Sequence, residues 1–547
     1  MKEFDRLQQE FIETCFEKHP DVASHLGFTE YDEKMPSGKL NDRKKEIKQE
    51  KYFLKRFQDI TESQLDFDRK ITRKLAIHKL NIWIFVDETL QHYLKNPDAA
   101  GEVASSLHAL FKRPGTEKFY PLYIRMERAP QYIEDFKTRV VTPVKLWTEM
   151  AVDSAEGLLR FLPIIVAASR KEVPHFADDI EDAAKKVEKS LLGYTAFLKD
   201  TFSTANTPWV MGRERFEELL TLRKIPYTAD QIVELGENWI IKEREKLWEL
   251  APSISPEGSI DESIILIKSH HGETFEDILE SYRASIKKSK EFVIDHDIVT
   301  IPAGETLVVE ETPEHLRVMY PMAAYLPAPA LGERIGHYEV TPPENQKDLQ
   351  EHNESTIANM SVHEAYPGHH IQIFCSYNHP HKIRWGFTPT DVYAKYVSEG
   401  TEFVEGWAHY CEEYMIEKGF NTKKEYLFMQ SLHTLFRAVR MIADVHLARG
   451  DLSIDEAASF LERETGLQHH LALGEVKRYT LGPSYPLSYL LGKYMIKQLK
   501  ENVKEMMGSH YKDKKFHDTM LYEGTMPIAL LEEIFKYKVQ NSKYKPT

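Results

Sequence analysis

Cysteine is scarce in this chain. Cys15, Cys375 and Cys411 are the only three among 547 residues, too few and too scattered for a disulfide framework or a thiolate zinc site, and they fit a reducing, intracellular compartment. Long apolar runs are missing as well. The most apolar stretch, Phe161 to Ala168, contains Pro163 and is far shorter than the ~20 residues that span a bilayer. The opening Met1-Lys2-Glu3-Phe4-Asp5 runs straight into a charged amphipathic pattern without the apolar segment of a signal peptide. A cytoplasmic protein with no membrane contact is therefore expected. An excess of basic charge is also lacking: 71 Lys and Arg stand against 86 Asp and Glu, a net charge of -15. That is the wrong sign for a nucleic-acid or anionic-membrane binder and serves solubility instead. The chain holds no internal repeat and no low-complexity tract.

What is present is helical periodicity. Apolar residues recur at helical spacing between charged faces, as in Phe4, Leu7, Phe11 and Cys15, or Ile232, Leu235, Trp239 and Ile240. Turn-forming residues break the pattern at Lys18 to Ser37, Arg113 to Tyr120 and Ala251 to Ser259. From Ile298 to Thr312, β-branched runs flank Pro302-Ala303-Gly304-Glu305 and predict a hairpin. Gly336 to Val340 predicts another short strand, suited to be either an ordinary surface strand or an edge along which an extended peptide lies. The expected fold is mainly α, a large helical bundle-like protein with a small β-sheet near an active-site cleft. A boundary near residue 300 separates an N-terminal helical lobe, 1–300, from a catalytic lobe, 301–547, the two being separate lobes or one continuous two-lobed fold.

The chemistry-bearing segment is His363-Glu364-Ala365-Tyr366-Pro367-Gly368-His369-His370. In a helical zinc site of the form His-Glu-x-x-His, two histidines one turn apart face one metal and the glutamate faces the activated water. Here Pro367 occupies the second histidine's place. A regular helix would carry His369 about 240° around from His363, and would leave His370 on the right face but roughly 10 Å along. Pro367 removes a backbone donor and Gly368 tolerates unusual dihedrals, so a regular helix is not expected here, and a local bulge that loops out two residues would return His369 to the facing position. His370 is the alternative ligand. The other doublets, His270-His271 and His469-His470, lack an adjacent glutamate and are assigned no role.

A third protein ligand is expected from a separate helix, with a fourth position left for water. The segment Glu399 to Tyr410 supplies it: Glu402, Glu405, His409 and Glu412 fall at i, i+3, i+7 and i+10, one helix face. Phe403, Val404, Trp407 and Ala408 interleave with them, so the segment is buried on most sides. Glu405 is taken as the ligand, with Glu402 as the alternative, and His409 as a partner behind the ligands. One zinc ion in such a site brings a water's pKa down to roughly 7; Glu364 then takes the water's proton and passes it to the leaving amine. Donors for the developing oxyanion are sought in Arg478-Tyr479 and in Gly482 to Tyr489, with Arg478 and Tyr489 as the candidates.

These residues resemble known families. His363 to His369 is similar to the His-Glu-Phe-Gly-His segment of the thimet-oligopeptidase type and to the one-residue expansion of it in dipeptidyl peptidase III. It looks like a two-residue expansion, again with Gly before the second ligand, which favours His369. Over more of its length the chain resembles the domain-of-unknown-function 885 family, helical proteins grouped with glutamate-zincin metallopeptidases. The carrying motifs are His363 through Gln372, Glu405-Gly406-Trp407-Ala408, Arg478-Tyr479 with Pro483 through Gly492, and the opening Pro20 through Gly27. Tyr485-Pro486 departs from the Gln-Ala expected in the third. The resemblance implies a zincin-like metallopeptidase with one Zn2+, acting on short peptides and on neither nucleic acid nor membrane. Two other functions use the same residues: a zinc hydrolase of a non-peptide amide or ester, and a non-catalytic helical scaffold that retains a metal.

Overall fold

The computed structural model describes residues 2–202, 205–313, 317, 322–343, 345–386, 397–398 and 400–541. The apolar stripes read from the sequence become helix faces turned inward. Phe4, Leu7, Phe11 and Cys15 are all buried on the helix Lys2–Lys18, and Ile232, Trp239 and Ile240 on Ala229–Leu250. Helix starts carry their own signals: Thr228 with Gln231, Thr274 with Asp277 and Ser453 with Glu456 each form a reciprocal capping box. Helices restart at Phe119 and Ile260 after the expected breaks there, while the expected break from Lys18 to Ser37 contains the short helix Pro20–His25. Cys15, Cys375 and Cys411 are free and buried. Among the described residues no helix is long and apolar enough to cross a membrane.

The buried apolar residues form two clusters, and the expected boundary lies near residue 300. One hydrophobic core gathers residues from Phe4 to Phe535 and so joins both sides of that boundary. The smaller separate core lies within 99–198, where the helices Ala99–Phe111, Phe119–Phe136, Lys145–Glu172 and Ala177–Phe202 pack on one another.

The strands differ from expectation in partnership. Strand β1, Thr306–Glu311, does not fold back on the residues before the turn; it runs parallel to β3, Ile335–Val340, and β2, Ala323–Leu326, joins β3 antiparallel. The order β1-β3-β2 places the predicted Gly336–Val340 strand in the centre of the sheet, hydrogen-bonded on both sides and closed to an added peptide. The apolar run at 298–301 misled because Ile298 and Val299 are buried core residues without strand pairing. Tyr338 and Val340 on β3 face the large core, with Tyr338 against Tyr282 of the helix Phe275–Asp295. The sheet is thereby held above the helices that carry the histidine motif.

Candidate metal centre

The helix Glu354–Glu364 begins at Asn353, whose side chain accepts from Thr356 N, and ends one residue after His363. Pro367 cannot continue it. The chain crosses residues 365–368 and starts a second helix, His369–Ser376. This is a complete helix break between two helices, where a two-residue bulge within one helix was expected. Gly368 is required at the crossing because a Cβ there would stand 1.8 Å from the carbonyl oxygen of His363 and 2.4 Å from that of Val362. Trp407 fixes the crossing from outside, donating from Nε1 to the Pro367 carbonyl at 2.9 Å. The two imidazoles end up perpendicular, with ring centroids 4.9 Å apart.

Glu405 comes from the helix Thr401–Glu417. Its Oε2 lies 3.7 Å from His363 Nε2 and 3.4 Å from His369 Nε2. Donor atoms spaced roughly 3.4 Å apart suit a tetrahedral ion with ligand distances near 2.0–2.2 Å. One ligand atom from each of His363, His369 and Glu405 lies within 4.8 Å of the others, and all three residues are buried. Both histidines turn their other nitrogen to a fixed acceptor: His363 Nδ1 donates to Glu412 Oε1 at 2.7 Å, and His369 Nδ1 faces Gln372 Oε1 at 3.2 Å. Gln372 Nε2 is itself occupied by the Phe403 carbonyl at 3.3 Å, which leaves Oε1 as the atom facing His369. The Nε2 atoms of both histidines are thereby turned toward Glu405. Glu405 Oε1 accepts from the Tyr485 hydroxyl at 2.6 Å, while Oε2 is buried without a hydrogen-bond partner. That orphaned oxygen between two imidazole nitrogens fits a cation held by these three residues.

The electrostatics agree. Burial alone would favour neutral imidazoles, yet the carboxylates of Glu405 and Glu412 outweigh it and push His363 up to about 9; His369 is raised against its burial by Glu405. Burial raises Glu405 and Glu412 too, but His369 for the first and Arg437 for the second hold them well below the carboxylate range. The cluster is one that calls for positive charge at its centre. Glu364, half-buried at the end of its helix, has no hydrogen-bond or ion-pair partner among the described residues.

The alternatives are committed elsewhere. His370, fully buried, sits 2.6 Å from Glu305 Oε2 and 3.1 Å from the Tyr325 hydroxyl, with no part in the three-residue cluster. Glu402 pairs with Arg223 at 2.9 Å, both side chains 1% exposed. Arg478 lies apart from the cluster: its side chain is 51% exposed and pairs with Glu475 three residues back. Tyr489 does reach the site, its ring nearly parallel to His363 at 6.2 Å and its hydroxyl 3.3 Å from that of Tyr485. Burial and Glu405 push Tyr489 up to about 12, so its proton is retained. His409 is buried behind Glu412 at 3.3 Å. Glu399 lies outside the described residues.

Sequence reading missed the roles of Glu412, Gln372, Tyr485, Arg437 and Arg440. Arg437 donates to Glu412 Oε1 at 2.7 Å, and the Arg440 guanidinium lies 4.6 Å from the Tyr489 ring centre. A signal was available in the buried helix Lys424–Arg449, where His433, Arg437, Arg440 and Asp444 recur at i, i+4, i+7 and i+11 among apolar neighbours. Tyr485 and Tyr489 are brought in by a close helix crossing: a Cβ on Gly406 would meet Gly492 backbone at 2.4 Å, and one on Gly492 would meet the Glu402 carbonyl oxygen at 1.8 Å.

The chain belongs to the family described as bacterial protein of unknown function (DUF885), whose profile matches residues 20–534. Its fold is shared by a candidate lipoprotein of unknown function from Shewanella oneidensis, 21% identical, with a TM-score of 0.76 over 97% of this chain and 99% of that one. A candidate lipoprotein from Colwellia psychrerythraea is 16% identical, with a TM-score of 0.84 over 98% and 99%. No curated protein matches. Both neighbours are named as lipoproteins, which contradicts the cytoplasmic expectation. The expectation rested on few cysteines, on the charged opening and on the lack of a long apolar run, and three free buried thiols are compatible with any compartment.

Proposed function

We propose that this protein is a zinc-dependent peptidase of the glutamate-zincin type that hydrolyses short peptides. The observation that carries the reading is the convergence of His363 Nε2, His369 Nε2 and the unpartnered Glu405 Oε2, with the uncommitted Glu364 carboxylate beginning one residue from the first ligand. Three protein ligands and a free carboxylate suit an open, catalytic site, whereas a structural zinc is usually closed by four. Zinc bound there supplies Lewis acidity and acidifies water toward a pKa of roughly 7. Glu364 takes the water's proton and returns it to the leaving amine. Glu412 and Gln372 hold the histidine tautomers, and Arg437 keeps Glu412 ionised. Tyr485 fixes one oxygen of Glu405 so that the other stays available. Tyr489, still protonated, is the donor for the developing oxyanion.

The test is digestion of a mixed peptide library followed by mass spectrometry, with wild-type protein, with chelator, and with Glu364→Gln. Turnover removed by chelator and reduced about 10²- to 10⁴-fold by Glu364→Gln is expected. Hydrolysis of amides or esters but of no peptide would assign a different zinc hydrolase. Bound zinc with no hydrolysis would leave a scaffold.

A further inference from the structure

Arg440 stands out as a buried cation without a committed counter-ion. Its side chain is 12% exposed, and among the described residues the one carboxylate within ion-pair distance is Glu475 Oε2, at 3.9 Å. Glu475 already serves two other groups: Arg478 pairs with one oxygen, and the Tyr479 hydroxyl donates to the other at 2.9 Å. Arg440 Nε is buried with no hydrogen-bond partner. Aromatic faces hold the guanidinium in place, Tyr489 at 4.6 Å and Tyr479 and Phe436 at 5.4 Å. A guanidinium so fixed presents a planar fork of donors at little entropic cost, the geometry that matches a carboxylate. Tyr489 is the shared wall, with Arg440 against its ring and His363 nearly parallel to it at 6.2 Å. The other arginine against that ring, Arg437, is neutralised by Glu412 at 2.7 Å. Around the cluster the carboxylates Glu364 and Glu405 stand without an arginine or lysine partner among the described residues, on a chain whose net charge is -15. Arg440 is therefore the cation beside this centre whose nearest carboxylate is already engaged by other groups.

We propose that Arg440 receives the C-terminal carboxylate of a short peptide, the one anionic group that every such peptide carries. This deepens the peptidase reading and rests on it for the class of ligand. It makes the site selective for free carboxyl termini, and it makes Arg440 a specificity-determining residue.

The test is calorimetric binding of three probes, Ala-Ala-Phe, its C-terminal amide and Ala-Glu-Phe amide, to the protein carrying Glu364→Gln so that nothing turns over. The free acid is expected to bind about 10- to 100-fold more tightly than either amide, the range of a charged hydrogen-bonded pair. Adding Arg440→Gln removes that advantage and leaves the amides unchanged. Arg440→Lys restores part of it, and Arg478→Gln has no effect. Equal binding of acid and amide, no binding of any probe, or equal weakening of all three by Arg440→Gln would overturn the proposal. An Arg440-dependent gain for the Glu-containing amide would also overturn it, by assigning the arginine to a side chain. Arg440-dependent binding of the free acid together with no hydrolysis by the Glu364-intact protein would sink the peptidase reading and leave the receptor standing.

Discussion

Replacing Glu412 by Gln separates metal affinity from simple stability. The Glu412 carboxylate is buried and accepts from His363 Nδ1 and Arg437 Nη2, each at 2.7 Å, and lies 3.3 Å from His409 Nδ1. Gln keeps the shape but removes the charge. Arg437, 10% exposed, is left as a buried cation without its partner, a loss of about 3–5 kcal/mol when such a pair is broken, reduced here because the amide oxygen still accepts one hydrogen bond. His363 loses the carboxylate that holds its tautomer, and loss of such a partner weakens metal binding about 10- to 100-fold. Glu402→Gln is the control. It breaks the Arg223–Glu402 pair, both side chains 1% exposed, and touches none of His363, His369 or Glu405. The assay is competition for zinc against a chromophoric chelator near neutral pH, paired with urea unfolding of the metal-free proteins. Both variants are expected to lose stability, and only Glu412→Gln is expected to lose zinc affinity. Unchanged affinity in Glu412→Gln, or an equal loss in Glu402→Gln, would refute the tautomer argument.

Gly492→Ala drives a methyl into the Glu402 carbonyl; a stability loss of about 1–3 kcal/mol or more is expected by thermal unfolding, with little change for Gly482→Ala, whose added Cβ meets Tyr485 at an ordinary 3.7 Å. The Glu305 carboxylate, raised by burial but lowered further by His370, Lys290 and Tyr366, sits at about 2. A depressed carboxylate contributes stability above its unfolded pKa of about 4.3 and loses it as pH falls toward 2, roughly 3 kcal/mol in all. Urea titrations across that window are expected to show a shallower acid loss for Glu305→Gln than for wild type. Arg478→Gln is expected to leave peptide turnover within twofold of wild type, about the scatter of a surface change, as its exposed place requires; a large loss of kcat would return Arg478 to the site.

Local chemistry made the centre legible in the sequence. His363, Glu364 and the acidic face of Glu402 and Glu405 follow from residue type and spacing, the choice of His369 over His370 came from the family resemblance, and Pro367-Gly368 marked the place where helix geometry fails. The form of that failure was not legible, because the break depends on Trp407 reaching the Pro367 carbonyl from a helix 40 residues on. The i, i+3 spacing put Glu402 and Glu405 on one face, but only the position of Arg223 decides which of them is free. Strand propensity found β1 and β3 but not their parallel pairing, which spans non-local chain. Arg478 is exposed and paired with Glu475, which a motif position does not reveal; Arg440, whose guanidinium lies against the Tyr489 ring, is on a different helix. Glu305, read only as part of a turn, engages His370 apart from the His363–His369–Glu405 cluster.

The most direct measurement is an equilibrium zinc titration of the purified, metal-stripped protein and three variants. One equivalent taken up by wild type and by His370→Gln, with high-affinity uptake abolished in His369→Ala and in Glu405→Ala, is the expected result. No stoichiometric uptake by wild type, or full uptake surviving in Glu405→Ala, would contradict the assignment of His363, His369 and Glu405 as a metal centre.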